Sequence, residues 1–190
     1  MAAPVYIGLV HHPIYNKNGE TIATAVTNFD IHDISRTART LGVKRYYIIH
    51  PHESQLALAR DVLGYWQEGY GGEYNPDRKE ALTIVKLARE IAEAVADITA
   101  AEGLPPIIVT TDARLYDNTV TYAALRDKIE NDERPILLLF GTGYGITKEV
   151  MGRFDYILEP VYGREDYNHL SVRGAAAIIL DRLLGAKWWR

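Results

Sequence analysis

Short runs dense in Val, Ile, Leu, Phe and Tyr recur along this chain and alternate with helix-length segments, which restricts it to α/β architectures. Residues 5–10, 44–50, 107–111, 136–140 and 155–158 read as strands. Between them, 31–41 reads as a helix stopped by Gly42, and 53–65 as a second with Leu56, Ala59, Val62 and Leu63 at helical spacing. Asn75-Pro76-Asp77 opens a third, in which Leu82, Val85, Leu87, Ile91 and Val95 mark an apolar stripe that runs to Gly103. Segments 122–129 and 170–184 complete the helical set. The expected fold is α/β, a mostly parallel sheet with helices on both faces. The Gly- and Pro-containing stretches at 103–106 and 131–135 read as turns within one domain covering 1–190. The Gly-, Tyr- and Trp-rich stretch 64–75 reads either as an ordered surface loop or as a lid facing substrate.

The absence of cysteine removes disulfides, thiolate nucleophiles, Cys zinc sites and iron–sulfur clusters. A formal charge of −4 disfavours nucleic-acid binding through the overall field, so contact with RNA requires a local patch. The first ten residues show no basic leader, and His11, His12 and Pro13 break the apolar run, so a cytoplasmic protein off the membrane is expected. The pairs His11-His12 and His50-Pro51-His52 meet no carboxylate at a recognised ligand spacing; no metal is expected, and chance clustering at strand ends is the simpler account.

Three segments carry candidate chemistry. Strand 136–140 runs into Gly141-Thr142-Gly143-Tyr144-Gly145, where missing Cβ atoms let backbone N–H groups approach a nucleotide-like ligand; a tight turn without ligand remains the alternative. The G-x-G-x-G spacing and its late position argue against a nicotinamide Rossmann site, and no P-loop lysine follows. In the second segment a strand ends at Leu158-Glu159-Pro160, and Asn168, His169, Ser171 and Arg173 crowd the start of a small-residue helix; Ser171 alone is explained as an N-cap. The third spans Asp30 to Gly42, where Arg36 and Arg39 share a helix face suited to a phosphate, or form an ordinary solvated face with Asp33.

In this order the segments resemble the motifs of the SPOUT class, the α/β-knot RNA methyltransferases that use S-adenosyl-L-methionine. The pattern D-x-x-x-x-x-R-T-A-x-x-x-G from Asp30 is similar to the first motif of the TrmH-like branch, the glycine loop to the second, and 159–163 with 169–178 to the third. Essentially the whole chain resembles a small bacterial family of SAM-dependent RNA methyltransferases that is sometimes fused to tRNA guanine-N1 methyltransferase.

The resemblance implies a C-terminal trefoil knot over roughly 136–184, a homodimer with a shared active site, and a tRNA or rRNA substrate. It implies adenosylmethionine contacts at Thr110, Thr111, Gly141, Gly143, Gly145, Leu158, Glu159, Pro160, Gly163, Asn168, Leu170 and Ser171. Arg36 carries over as the phosphate or ribose contact nearest the chemistry. The chain departs from that branch at Asp30 (Asn there), at His169 (Asn there) and in lacking a Glu within the glycine loop, which leaves base and ribose both open as targets. Methyl transfer needs alignment and removal of a proton. Asp30, His169 and Asp166 are the expected base candidates, with Arg36 stabilising charge. Arg39, Tyr70 and Tyr74 are expected to meet RNA, and Trp188-Trp189 to sit in the dimer interface. A non-catalytic RNA-binding or cofactor-sensing module on the same fold, and an unrelated ATP or NAD enzyme, are the alternatives.

Overall fold

The computed structural model describes residues 2–165 and 167–186; Asp166 and the Trp188-Trp189 pair lie outside them. In chain order the elements are β1 (Val5–Val10), β2 (Ile14–Tyr15), β3 (Thr21–Ile22), α1 (Asn28–Thr40), β4 (Arg45–Ile49), α2 (Glu53–Gln67), α3 (Tyr70–Tyr74) and α4 (Pro76–Leu82). There follow β5 (Val85–Ala88), α5 (Ile91–Glu102), β6 (Ile107–Thr111), β7 (Thr119–Val120), α6 (Tyr122–Asn131), β8 (Ile136–Gly141), α7 (Lys148–Met151), β9 (Tyr156–Leu158) and α8 (Val172–Leu184).

A seven-stranded sheet runs β5-β4-β1-β8-β6-β9-β7, and every neighbouring pair in it is parallel; β2 and β3 form a separate antiparallel pair. The strands read as continuous apolar runs because both faces are covered. Alternate residues split between two cores. Val5, Ile7, Leu9, Tyr46, Ile48, Ile136, Leu138 and Phe140 face α1, α2, α6 and α8, whereas Tyr6, Val10, Tyr47, Ile49, Leu137 and Leu139 face α5 and α7. Between them Gly8 lets β4 and β8 side chains close over β1, since a Cβ there would lie 2.8 Å from Leu139 Cδ2.

Two expectations are corrected. The single helix expected from Pro76 to Gly103 is α4, β5 and α5. The stripe residues Val85 and Leu87 belong to a strand whose register pairs Tyr46 with Val85 and Ile49 with Ala88. The β-branched stretch Thr83-Ile84-Val85 and the open edge of β4 outweigh the local helical pattern. Asn75 does cap α4 by accepting from Arg78 N (3.0 Å), and α5 does end on Gly103 at φ +77°. The stretch 64–75 is mostly helical rather than a loop. α2 continues to Gln67, and α3 packs its glycines so tightly on α2 that a Cβ on Gly72 would fall 2.4 Å from Trp66 O. No helix among the described residues is long and apolar enough to cross a membrane.

Candidate functional site

The order β8-β6-β9 sets three loops side by side at the C-terminal ends of parallel strands, the usual position of a ligand crevice in open α/β sheets. β8 leaves the sheet at Gly141, where a Cβ would lie 2.9 Å from Ile146 N, and turns through Gly143 (φ +55°) and Gly145 (φ +95°), conformations that favour glycine. The loop is held from below. Thr142 donates from N and Oγ1 to Val10 O (3.3 and 3.1 Å), while Tyr144 N bonds Tyr15 O and Tyr15 N bonds Gly145 O. Gly143 and Tyr144 remain exposed above.

From β6, the Thr110 and Thr111 hydroxyls both donate to Leu139 O (3.4 and 3.3 Å), tying this strand's end to β8. Asp112 follows, its side chain only 5% exposed and gripped in a fork by Arg114 at 2.9 and 3.1 Å. A Cβ on Gly145 would lie 3.6 Å from Asp112 Oδ2, so this carboxylate walls the glycine loop. From β9, Leu158 and Pro160 are buried. The Glu159 carboxylate accepts from Tyr122 N (2.6 Å) at the start of α6, where the helix dipole favours it. Gly163 turns the loop back on itself, its Cβ position lying 2.8 Å from Tyr167 O. Asn168 is half-buried, His169 and Leu170 are exposed, and His169 stands edge-on to Tyr167 (5.3 Å between centroids). Ser171 caps α8 by accepting from Gly174 N (3.3 Å). Leu115, Tyr144, Tyr162 and Tyr167 line the rim as exposed apolar side chains.

The α1 residues lie beside these loops, with their roles divided. Asp30 is buried, accepting from Thr27 Oγ1 (2.6 Å) and Arg173 Nη1 (3.2 Å). Arg173 also reaches Asp33 (3.4 Å) and lies over Phe29, which ties the first turn of α8 to α1. Arg36 is exposed, and its guanidinium has no ion pair among the described residues; it shares a cavity with Asp181 of α8. Asp33, which bonds Arg173 at the α8 entrance, is three residues before Arg36, so Arg36 sits about 4.5 Å further along α1 from that contact. Arg39 is paired to Glu80 of α4 (2.5 Å). Tyr70 and Tyr74 are exposed on α3, their rings 6.3 Å apart. The fold thus gathers the glycine, β6 and β9 loops, and sets Arg36, Arg39, Tyr70 and Tyr74 along the helical face.

Sequence reading also missed a histidine cluster beneath the glycine loop. The register that pairs Val10 with Ile49 places His11 beside His50 (5.6 Å between centroids), with His52 next to it (5.3 Å). These contacts follow from the pairing of β1 with β4, which brings the two strand ends together. His50 Nε2 bonds Thr24 O (3.0 Å) and its Nδ1 accepts from His52 N (3.0 Å), which assigns a neutral ring. His11 Nδ1 meets Thr24 Oγ1 (3.1 Å), and that hydroxyl meets Thr142 Oγ1, a chain of bonds reaching the glycine loop. Burial, then the nearby His50, lower the His11 pKa to about 4. Among the described residues no group of three or more His, Asp or Glu could hold a metal ion. Arg114 was also missed, and Asp112 lies within the 110–113 loop that the resemblance sets against the cofactor without having been singled out; a D-x-R triplet in a loop was the available signal.

The comparisons bear on family and fold. A family described as SAM-dependent RNA methyltransferase matches residues 4–185. An uncharacterized protein of Aquifex aeolicus is 46% identical over 179 residues, covering 94% of this chain and 87% of that one. A tRNA (guanine-N(1)-)-methyltransferase of Oleidesulfovibrio alaskensis is 43% identical over 181 residues, covering 95% of this chain but 42% of that longer protein. Among solved structures, the SpoU methyltransferase AviRb of Streptomyces viridochromogenes, crystallised with AdoMet, matches with a TM-score of 0.58 at 15% identity, covering 97% of this chain and 58% of that one. The fold is that of SPOUT methyltransferases, and the chain belongs to the SAM-dependent RNA methyltransferase family.

Proposed function

We propose that this chain, as one domain over 1–190, transfers a methyl group from S-adenosyl-L-methionine to a tRNA or rRNA. The observation that carries the reading is the convergence of the loops after β8, β6 and β9, with Gly143 and Tyr144 exposed on the glycine loop and Asp112 walling one side. These loops fit the cofactor: the exposed Gly143-Tyr144 segment suits its polar edges, and the exposed Leu115, Tyr144, Tyr162 and Leu170 suit an adenine. Gly141, Gly143, Gly145, Leu158, Pro160, Gly163, Asn168, Leu170 and Ser171 hold it, with Thr110 and Thr111 fixing the β6 loop and Glu159 fixing the β9 loop. Bound there, the cofactor supplies an electrophilic methyl group.

This chain's residues then align the acceptor and handle its proton and charge. Exposed His169, at the entrance to α8, accepts the proton. Arg36 holds a phosphate or stabilises charge on the attacking atom. Asp30 positions Arg173, and through it the entrance to α8, rather than meeting substrate. In this reading the protein is a homodimer in which one protomer's exposed Arg36 faces its partner's cofactor loops. Residues 136–184 form a trefoil knot around the cofactor in this reading, and the protein works in the cytoplasm.

The test is calorimetric titration with S-adenosylhomocysteine, ATP and NAD, followed by transfer of labelled methyl groups to total RNA from a strain lacking the gene. Binding of S-adenosylhomocysteine alone, with label entering one RNA class, is expected. Binding of ATP or NAD instead, or no binding, refutes the proposal.

A further inference from the structure

A second cavity, of about 640 Å³, opens between α1, α2 and the start of α4, in the size range of small-ligand sites. We infer that it binds one nucleotide of single-stranded RNA, with the base among His32, Trp66 and the rim aromatics and the phosphate between Arg36 and Arg78. The inference rests on the reading that the chain acts on RNA, and adds Trp66 and Arg78, which lie outside the motifs that support that reading.

The walls have the donors, acceptors and flat faces a nucleotide needs. His32 and Arg78 both line the cavity, and His32 Nδ1 and Arg78 Nε are buried in its wall with no hydrogen-bond partner among the described residues. The remaining nitrogens of the imidazole and the guanidinium are the polar groups the wall offers a ligand. The Arg78 guanidinium stacks on Trp66 at 4.7 Å from the ring centroid, and His32 meets the same ring edge-on at 5.3 Å. The indole therefore fixes both polar groups in the cavity wall. Burial and the neighbouring Arg78 lower the His32 pKa, and a neutral imidazole presents one donor and one acceptor to a base edge.

At the mouth, Phe29 and Tyr65 are 68% and 52% exposed, an arrangement that favours stacking of unpaired bases. Of the two carboxylates in the lining, Asp33 is bound to Arg173, which leaves Asp61 to accept from a ribose hydroxyl or an exocyclic amine. That carboxylate disfavours a bare polyphosphate. The density of charged groups also argues against an apolar protein partner seated in the cavity, because the cores of such interfaces are poor in charge.

The test uses a fluorescein-labelled, mixed-sequence 15-nucleotide RNA containing 4-thiouridine, with wild type, R78M and W66F. R78M keeps the aliphatic stem, and W66F keeps a ring in the partly buried position, so that folding can be verified by urea titration. Wild type is expected to bind the RNA and, on irradiation, to cross-link within 29–32 or 65–66. Both variants should lose at least tenfold in RNA affinity, with S-adenosylhomocysteine affinity within twofold of wild type. Adenosine 5′-monophosphate should compete, and ribose 5-phosphate should not. RNA affinity unchanged in both variants, cross-links confined to other segments, or no binding of RNA by wild type overturns the inference. Failure of wild type to bind S-adenosylhomocysteine while these RNA effects hold would instead refute the methyltransferase reading and leave the cavity's role standing.

Discussion

Acidification should destabilise this protein through His11 before carboxylates titrate. The ring is fully buried. With its Nδ1 proton donated to Thr24, the Thr24 hydroxyl can donate to Thr142 and the Thr142 hydroxyl to Val10 O, so every proton in the chain has an acceptor. Nε2 is buried without a partner among the described residues, tolerable as a lone pair but costly as an N–H beside His50. The folded pKa is accordingly lowered from 6.5 to about 4. A depressed histidine pKa means that the unfolded chain binds more protons between these values, so stability is complete above pH 6.5 and falls as pH drops toward 4. Linkage gives a loss of about 2 kcal/mol between pH 7 and pH 5 and about 3 kcal/mol once both states are protonated. His50, also lowered by burial, acts in the same direction. Urea unfolding at pH 7, 6 and 5 should show this slope in wild type. In His11→Asn, whose amide can retain the Thr24 bond, the slope should flatten by about 2 kcal/mol even if the variant is less stable throughout. Parallel slopes in the two proteins would refute the assignment of His11 as a buried neutral base.

Gly145→Ala forces φ +95° on an alanine and moves a methyl toward Asp112 Oδ2, so S-adenosylhomocysteine affinity should fall at least tenfold by calorimetry while far-ultraviolet circular dichroism is unchanged. Arg36→Ala should lower methyl-transfer kcat about 100-fold, with S-adenosylhomocysteine affinity within twofold. If the site is shared between protomers, mixing Arg36→Ala with Gly145→Ala should restore activity that neither has alone, and light scattering should give a mass twice 21.4 kDa. Arg173→Met leaves the buried Asp30 carboxylate without its cation and should cost about 2 kcal/mol in urea unfolding, partly recovered by adding Asp30→Asn.

What the chain determined alone was whatever depends on neighbours in sequence. β1 and β8 were legible because strands covered on both faces must be continuously apolar, and α4 and α8 because Asn75 and Ser171 cap from one position before the first turn. The glycine loop was legible because its conformation depends on missing Cβ atoms at fixed spacing. Tertiary structure decided the rest. β5 became a strand because the β4 edge offered hydrogen bonds to a segment whose own periodicity suggested a helix. Asp30 became an anchor because Arg173, 143 residues away, reaches its carboxylate. His11 met His50 only through the register of β1 on β4, and His32, Trp66 and Arg78 met through the packing of α1, α2 and α4. Side-chain periodicity encodes which face is buried, but not which distant residue will lie against it, and the chemistry of this chain depends on those distant pairings.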